Sequence, residues 1–384
     1  AYELASCLVG SEMCIRDRMK PIIRLELPEK CRILAVSDIH TCDHLLKDVL
    51  IKAEYKPGED YLIIVGDILE HGDNNLSTIR TVMELCKNDR VYCLLGNNDT
   101  GVIRMAFTYP YKRFQEKFYW EGTTYNQMAN SLGFDWCSEE NWLDIRAAVY
   151  KKYKAELDFM NSRPIAIETQ EHIFVHAGLE NRPDWENADN DYAITVPWFL
   201  NMENPTDKWL VVGHFPTYNF EASNCTNLPI FNYEKKIIDI DGGLTIKRAC
   251  QLNALIINKN GRDYSYDVVW DTFFKKAEVI ADYDSEFSPV YTNWSDQDIE
   301  VLSIDNGLAF VRDNKTGKTG YIPKSKVYDI KGTKQIWDFL SAFPPVSKGE
   351  YVYYAESSDG YARITKESGE VGWIPAKCLE GFDE

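Results

Sequence analysis

The segment Gly66-Asp67-Ile68-Leu69-Glu70-His71-Gly72 is the feature of the sequence from which the fold can be worked out. It follows the apolar run Tyr61-Leu62-Ile63-Ile64-Val65, which is typical of a buried strand in a parallel sheet. In α/β folds, ligands bind at the carboxyl ends of such strands, so an acidic side chain placed there is a candidate ligand. A Gly-Asp pair after one strand is common, however, and the pattern gains meaning only through repetition.

Four further segments repeat the arrangement of an apolar strand, a sharp turn and a side chain that can bind a metal. They are Asp38-Ile39-His40, Gly96-Asn97-Asn98-Asp99, His176-Ala177-Gly178 and Gly213-His214-Phe215-Pro216. The strands alternate with stretches of helical period, which is typical of a layered α/β fold. Helices are predicted near 45–53 and 76–86, and two antiparallel strands near 249–257 and 264–270.

Taken in this order, the five segments resemble the motifs of the calcineurin-like metallophosphoesterases. The most similar branch is the bacterial one that includes Ser/Thr protein phosphatases and symmetrical diadenosine-tetraphosphate hydrolases. The resemblance covers roughly residues 30–258 and implies a four-layer α/β/β/α sandwich. We therefore expect a metallophosphoesterase domain over residues 19–271.

The resemblance also implies six ligands, shared between two divalent metal ions. Asp67 bridges both ions, Asp38 and His40 complete the first site, and Asn97, His176 and His214 complete the second. Such a pair neutralises the anionic oxygens of a phosphate ester and turns a bound water into an attacking hydroxide. Because the ligand set mixes nitrogen with oxygen, Mn, Fe or Zn is expected rather than Mg or Ca.

Two motifs depart from the family pattern at residues expected to handle the substrate. Glu70 and His71 stand where the protein phosphatases carry aspartate and arginine, and Asn98 replaces the histidine that protonates the leaving group. The lost arginine is a bidentate phosphate clamp that histidine cannot reproduce, and a further arginine expected near 198–200 is also absent. We hypothesise that His71, oriented by Glu70 or Asp99, contacts the phosphate or acts as the acid. Alternatively, His71 is a loop residue and the enzyme is slow or needs good leaving groups.

A long insert over residues 100–163 separates the third motif from the fourth. Its apolar residues recur at helical spacing, which predicts helices. Two roles remain open for it. The helices either pack on the core and do no more, or form a cap that shapes access to the site, since long insertions are where specificity accumulates.

The last part of the chain contains an internal repeat of a small β unit. Gly320-Tyr321-Ile322-Pro323 recurs as Gly372-Trp373-Ile374-Pro375, 52 residues later. Both copies resemble SH3-like barrels, predicted over residues 276–328 and 333–384. A groove for proline-rich peptides needs exposed aromatic residues, and packing within the molecule or in a dimer is the alternative use for them. The candidates are Tyr283, Trp294, Tyr321, Pro323, Tyr361, Trp373 and Pro375.

Composition limits the class of partner and the compartment. The chain has 384 residues and a net charge of −18 without a dense cluster of Lys and Arg, so nucleic-acid binding is not expected. No apolar run reaches the ~18 residues that a membrane-spanning helix needs. Ten scattered cysteines without a CxxC pair are typical of the reducing cytoplasm. Residues 1–18 resemble translated adapter sequence, and we expect them to be disordered and without function.

Two functions of different classes are compatible with these observations. The first is a phosphoric ester hydrolase that cleaves a phosphomonoester or phosphoanhydride, on a phosphoprotein or a dinucleoside polyphosphate. The second is a catalytically weak scaffold that binds phosphoproteins and recruits protein partners through the SH3-like repeats. The retained metal ligands favour the first function, and the missing acid and clamp favour the second.

Overall fold

The apolar run at 61–65 forms a central strand of a sheet, as predicted. In the computed structural model this strand, Tyr61–Ile64, lies between Lys30–Val36 and Val91–Cys93 and is parallel to both. The structure describes residues 21–220, 225–285, 287, 290–291, 297–337 and 339–382. The predicted disorder of residues 1–18 and the predicted role of Trp294 lie outside these described residues.

The described residues fall into two units. The first comprises the described chain up to Phe215, together with Pro229–Thr245 and Leu252–Asp271. The second comprises Pro216–Leu228, Ile246–Gln251 and the chain from Thr272 onward. The second unit therefore includes two short segments that interrupt the first unit in the sequence.

Two sheets form the first unit within the described residues. Their strands, numbered in chain order, are β1 (Ile22–Arg24), β2 (Lys30–Val36), β3 (Tyr61–Ile64), β4 (Val91–Cys93), β5 (Ala166–Glu168), β6 (His172–Val175), β7 (Trp209–Val212), β8 (Ile230–Asn232), β9 (Ile237–Asp239), β10 (Leu252–Asn260) and β11 (Asp263–Asp271). One sheet has the order β1-β5-β6-β7-β9-β8, and the other has the order β11-β10-β2-β3-β4. β10 and β11 are antiparallel, which confirms the predicted pair.

The two sheets of the first unit share one hydrophobic core. Ile33 and Ile63 of the second sheet pack in the same cluster as Phe174 and Val211 of the first, and all four are fully buried. Each side chain of this size contributes about 1.5–3 kcal/mol when it leaves water. The unit is therefore a mixed α/β fold in which the parallel strands predicted from apolar runs form the interior.

The α-helices of the described residues all belong to the first unit. They are α1 (Asp43–Lys52), α2 (Asn75–Leu85), α3 (Asn97–Phe107), α4 (Tyr111–Phe118), α5 (Thr124–Asn130), α6 (Trp142–Lys152), α7 (Lys154–Ser162) and α8 (Asn190–Thr195). The segment α3–α7 confirms the helical insert. The insert has apolar packing of its own, because Phe114 and Phe118 are fully buried one turn apart and Tyr125 packs edge-on against Phe114.

A buried ion pair ties the two ends of the insert together. Asp99, in the first turn of α3, lies 3.1 Å from Nη2 of Arg163, and both side chains are almost fully buried. Asp99 also accepts hydrogen bonds from the backbone nitrogens of Ile68 (3.2 Å) and Gly96 (3.1 Å). Arg163 donates to the backbone oxygen of Leu94 at 3.0 Å. The pair therefore connects the insert with the loops that follow β3 and β4.

The described part of the second unit consists of strands, turns and short 3-10 helices. Its strands are β12 (Lys275–Glu278), β13 (Val290–Tyr291), β14 (Gln297–Asp305), β15 (Leu308–Asp313), β16 (Thr319–Pro323), β17 (Tyr328–Ile330), β18 (Thr333–Ile336), β19 (Leu340–Ser341), β20 (Tyr351–Ser358), β21 (Tyr361–Lys366) and β22 (Val371–Pro375). They form sheets of order β12-β20-β21-β22, β13-β19 and β16-β15-β14-β18-β17. This region is all-β, as predicted.

The sheets of the second unit do not follow the order of the two sequence repeats. β12 precedes β14–β16 in the sequence but pairs with β20 in the sheet that also contains β21 and β22. β18 lies at the start of the second repeat but pairs with β14 of the first. Each larger sheet thus takes a strand from the opposite side of the repeat boundary, and the limits 276–328 and 333–384 stay a prediction.

The aromatic side chains expected at a peptide groove are engaged in packing. Trp373 is fully buried in a hydrophobic cluster that includes Phe343. The ring of Tyr321 lies 4.4 Å from that of Phe287 and 4.8 Å from that of Phe310, measured between ring centroids. These contacts favour the alternative use of the aromatic residues, packing within the molecule.

Two expectations drawn from composition can be checked in the described residues. None of the helices there has the length and apolar character needed to cross a bilayer. The eight cysteines in this part of the chain are free thiols, and six of them are buried. Most cysteines in this part of the chain therefore pack in the interior as thiols, as expected without a CxxC pair.

We expect the stability of the first unit to depend on pH through His172. This residue is fully buried at the start of β6, its Nε2 lies 2.9 Å from the hydroxyl of Tyr266, and burial lowers its pKa to about 4. The unfolded chain keeps a histidine pKa near ~6.5, so between these values the unfolded state holds a proton that the folded state lacks, and stability falls as pH falls. The neighbouring Tyr264 and Tyr266 have raised pKa values because of burial and do not titrate in this window.

Urea unfolding in EDTA at pH 7.5 and pH 5.0 tests this expectation. Between pH 7.5 and pH 5.0, the free energy of unfolding of the wild type should fall by roughly 2 kcal/mol more than that of His172→Gln. His44→Gln, which changes an exposed histidine of α1, is the control and should behave like the wild type. An equal loss in the wild type and His172→Gln would contradict the assignment.

Removing one partner of the Asp99–Arg163 pair should lower the free energy of unfolding far more than removing one partner of an ion pair at the surface. We expect Arg163→Met to lower the free energy of unfolding by about 3–5 kcal/mol, because it leaves a buried carboxylate without its cation. Arg104→Met is the matched control, since Arg104 pairs with Asp191 at the surface, where a pair is worth about 0–1 kcal/mol. Chemical denaturation of both variants compares the two costs, and similar values would argue against a special role for the buried pair.

Candidate metal centre

The motif residues lie on tight turns at the carboxyl ends of the strands. Asp38, His40, Asp67 and His214 have left-handed backbones, with φ of 53°, 42°, 48° and 72°. Such φ values are uncommon outside glycine and cost about 1–3 kcal/mol each when the surrounding structure imposes them. Strain of this kind concentrates at functional sites. The backbone therefore has the predicted arrangement, in which each strand is followed by a tight turn that carries a candidate ligand.

The side chains meet in two groups that share Asp67. In one group, ligand atoms of Asp38, His40 and Asp67 lie within 4.8 Å of one another. In the other group, the same holds for Asp67, His176 and His214. A carboxylate has two oxygens, so Asp67 can serve both groups at once.

Two of the histidines are held by hydrogen bonds through the nitrogen that points away from the group. Nδ1 of His40 lies 3.0 Å from the backbone oxygen of Leu69, and Nδ1 of His176 lies 2.9 Å from that of Val65. Because a carbonyl oxygen only accepts, each Nδ1 carries a proton and Nε2 is the nitrogen left for a ligand. Carbonyl contacts of this kind orient histidines that bind metals.

The amide of Asn97 lies among the side chains of the second group, 3.0 Å from Nε2 of His176. Turned over, the amide would place its nitrogen 2.9 Å from Nδ1 of His214 and 3.2 Å from Oδ2 of Asp67. Carboxylate and amide oxygens and imidazole nitrogens thus converge here, and this donor set fits a divalent metal ion.

Two glycines of the motifs are required by the close approach of the loops. A Cβ on Gly96 would lie 2.0 Å from Oδ1 of Asp67, and a Cβ on Gly213 would lie 2.2 Å from Oδ2 of Asp38. Both distances are far below van der Waals contact. The glycines thus allow the neighbouring backbones to pass directly over the carboxylates.

At the candidate metal centre, the negative charge of buried carboxylates is balanced by nearby histidines. Burial would raise the pKa of Asp67, but the charge and hydrogen bond of His176, with His40, hold it well below its usual value. Burial would lower the pKa of His176, but Asp67 and Asp38 raise it to about 10. Burial raises the pKa of Asp38. In the absence of a cation, His176 therefore supplies the positive charge that balances Asp67.

Two further aspartates, Asp239 at the end of β9 and Asp241 just after it, lie within electrostatic reach of Asp38. Burial, followed by the charge of Asp241, raises the pKa of Asp239 well above its usual value, and burial with the charge of Asp38 does the same for Asp241. Asp239 accepts a hydrogen bond from the backbone nitrogen of Asp241 at 3.1 Å, and Asp241 accepts one from that of Gly243 at 2.7 Å. Both carboxyl groups therefore shape the turn.

Asn98 contacts the shared carboxylate from two directions. Its backbone nitrogen donates to Oδ1 of Asp67 at 2.9 Å, and its side-chain amide donates to Oδ2 at 2.6 Å. Both oxygens of Asp67 are therefore held by the first turn of α3. An amide cannot deliver a proton, so the geometry of Asn98 is that of a residue that positions Asp67.

The two carboxylates that were expected to orient His71 have other partners. Oε1 of Glu70 accepts a hydrogen bond from the backbone nitrogen of Thr124 at 3.0 Å, at the start of α5. Asp99 is paired with Arg163. Among the described residues, neither carboxylate is hydrogen-bonded to His71. Burial raises the pKa of Glu70, and the contact with Thr124 opposes this shift.

His71 lies beside the first ligand group without being part of it. Its ring packs edge-on against that of His40, with 4.9 Å between ring centroids. Its backbone is left-handed, with φ of 67°. The residue as a whole is exposed, but its ring is desolvated against its neighbour, and this desolvation and the charge of His40 lower its pKa to about 4. His71 is thus a side chain at the edge of the candidate site.

Two residues that support the site were missed in the sequence. Arg163 holds Asp99, as described above, and Asn75 fixes the loop that carries His71. Asn75 Oδ1 accepts from the backbone nitrogen of Glu70 at 2.9 Å, and its Nδ2 donates to the backbone oxygen of Gly72 at 2.9 Å. Neither residue belongs to a spaced motif, so a single sequence offered no signal for them.

Known proteins are similar to parts of this chain. A symmetrical bis(5'-nucleosyl)-tetraphosphatase of Janthinobacterium sp. (strain Marseille) is 27% identical over 154 residues, which is 40% of this chain and 45% of the relative. A protein of the same description from Edwardsiella ictaluri is 36% identical over 70 residues, 18% of this chain and 24% of the relative. The chain thus spans less than half the length of the curated relatives it matches.

Similarity also extends to solved structures and to a family. A protein serine/threonine phosphatase structure from Saccharomyces cerevisiae is 11% identical, with a TM-score of 0.38, and the match covers 71% of this chain and 92% of that one. The sequence pattern of the calcineurin-like phosphoesterases matches residues 31–241, which include every ligand of the two groups around Asp67. This chain belongs to the calcineurin-like phosphoesterase family.

Proposed function

We propose that this protein is a dinuclear metallophosphoesterase whose two divalent ions are bridged by Asp67. The observation that carries the proposal is the sharing of one carboxylate by two groups of ligand atoms. The side chain of Asn97 adds an amide to the second group, 3.0 Å from Nε2 of His176. The full proposed ligand set is Asp38, His40 and Asp67 for one ion and Asp67, Asn97, His176 and His214 for the other.

The mixture of ligand atoms limits which metals fit. Imidazole nitrogens suit Mn, Fe and Zn better than Mg or Ca, which prefer oxygen alone. Such ions, when bound, would neutralise the ester oxygens and acidify the attacking water. The chain's own part is to hold Asp67 through Asn98 and to fix the histidine rings through carbonyl contacts.

The proposed reaction is hydrolysis of a phosphomonoester or phosphoanhydride, without a covalent phosphoenzyme. The similarity to bis(5'-nucleosyl)-tetraphosphatases supports a dinucleoside polyphosphate as substrate, and a phosphoprotein is the alternative within the same reaction class. We further propose that the first unit is a four-layer sandwich in a domain over residues 19–271. The second unit would then contain two SH3-like barrels, and the protein would act in the cytoplasm.

His71 is our candidate for contact with the substrate. It is the exposed polar side chain next to His40, on the loop where the family carries its phosphate-binding arginine. Glu70 supports the loop from the insert side through Thr124 rather than by orienting the imidazole. Asn98 and Asp99 then serve the site indirectly, through Asp67 and Arg163.

Turnover of an aryl phosphate with added Mn²⁺ tests the dinuclear proposal. We expect activity in the wild type and its loss by at least a hundredfold in Asp67→Asn, because the shared ligand is removed. Asp60→Asn is the control, since Asp60 is also buried but bonded to Arg32 near the opposite end of β3. Bound metal should be counted by elemental analysis in each variant. A wild type that binds metal yet turns over no phosphoester would favour the scaffold function instead.

The role of His71 is tested by His71→Ala on two classes of substrate. If His71 donates a proton to the leaving group, kcat for alkyl phosphates should fall about 10²–10⁴-fold, while aryl phosphates with good leaving groups should be nearly unaffected. If His71 only contacts the phosphate, kcat/KM of the variant should fall to a similar extent for both classes of substrate. His44→Ala, an exposed histidine on α1, is the control. Unchanged kinetics on both classes would show that His71 is a loop residue.

A further inference from the structure

The insert is attached to the loop that carries His71. The backbone nitrogen of Thr124 donates to Glu70, as described above, and Nδ2 of Asn75 donates to the backbone oxygen of Gly122 at 3.2 Å. The side chain of Gln127 also donates to that oxygen, at 3.2 Å. The segment between α4 and α5 is therefore held against the edge of the candidate metal centre.

An exposed aromatic ring lies on this segment, next to a cation in the last turn of α4. Trp120 is 56% exposed, and Nζ of Lys117 lies 3.2 Å from the centre of its ring. The backbone of Trp120 is fixed, because its nitrogen donates to the backbone oxygen of Lys117 and its oxygen accepts from the hydroxyl of Thr123. The ammonium covers one face of the indole, and more than half of the residue remains exposed to solvent.

Lys117 lies in the last turn of α4, directly before the segment that is attached to the loop of His71. Burial and the charge of Arg113 lower the pKa of Lys117, while the carboxylate of Glu70 opposes this shift. α4 anchors the lysine, because Phe114 and Phe118 on either side of it are fully buried. In a chain with a net charge of −18, this cation lies on the helix that leads into the segment attached to the loop of His71.

We propose that Lys117 and Trp120 form a recognition site for the non-scissile part of the substrate, a nucleobase joined to further phosphate groups. An indole supplies a stacking surface that every nucleobase fits, worth about 1–3 kcal/mol, and an ammonium binds a phosphate oxygen as a point charge. The proposal rests on the proposed function and deepens it. It assigns the cap role to the insert and selects nucleoside polyphosphates over phosphoproteins as the substrate class.

Steady-state kinetics with Mn²⁺ test the recognition site on two substrates, diadenosine tetraphosphate and glycerol phosphate. We expect Trp120→Ala and Lys117→Ala each to raise KM for the first substrate about tenfold, with kcat little changed and with glycerol phosphate unaffected. Trp120→Phe should recover most of the affinity. The matched control is Trp136→Ala, since Trp136 is equally exposed (58%) on the same insert but precedes α6.

The outcomes separate this inference from the proposed function. Normal KM for diadenosine tetraphosphate in both variants, or equal losses on both substrates, would overturn the recognition site while leaving the metallophosphoesterase intact. If the wild type turns over neither substrate, calorimetric binding of diadenosine tetraphosphate tests the site alone, and the proposed function fails only if the aryl phosphate is not turned over either. Binding by the wild type that weakens about tenfold in Trp120→Ala but not in Trp136→Ala would support the site, and equal binding by all three would overturn it.

Discussion

The burial of Asp67 is the constraint on which the rest of the first unit depends. A carboxylate removed from water needs donors and nearby positive charge, because an uncompensated buried ion costs several kcal/mol. The donors come from Asn98, and the charge comes from His176, 3.5 Å away. Each of these groups reaches Asp67 from the end of a different strand. The left-handed turns and the bare backbone of Gly96 follow from this one electrostatic requirement.

The departures from the family pattern coincide with the place where the insert is attached. The position of Glu70 is an aspartate in the pattern of the related protein phosphatases, and the longer glutamate side chain reaches the first turn of α5 at Thr124. Asn75 completes the same attachment through Gly122. The loop that bears His71 is therefore built to hold the insert as well as to border the ligand groups. Its altered residues are better understood as an adaptation to the insert than as decay of the site.

Much of the first unit was predictable because its strands are buried on both faces and so form continuous apolar runs. The ligand groups were predictable because each residue follows such a strand by one to four residues. The partners of Asp99 and Glu70 were not, since Arg163 and Thr124 are far from them in the sequence and only tertiary packing brings them together. The local sequence pattern suggested that Glu70 or Asp99 orients His71, because such a pattern does not show partners that are distant in the sequence.

In the second unit, the pairing of whole strands could not be predicted from the sequence for the same reason. Its internal repeat predicts two similar β units, but the repeat cannot specify which strands pair, and β12 and β18 pair across the repeat boundary. The exchange brings aromatic residues of both halves into one cluster, in which Trp373 is fully buried and Tyr321 is partly buried. A proline-rich peptide would need those rings exposed. The packing of these two rings favours a structural use for them, and the case for enzymatic activity depends on the ligands around Asp67.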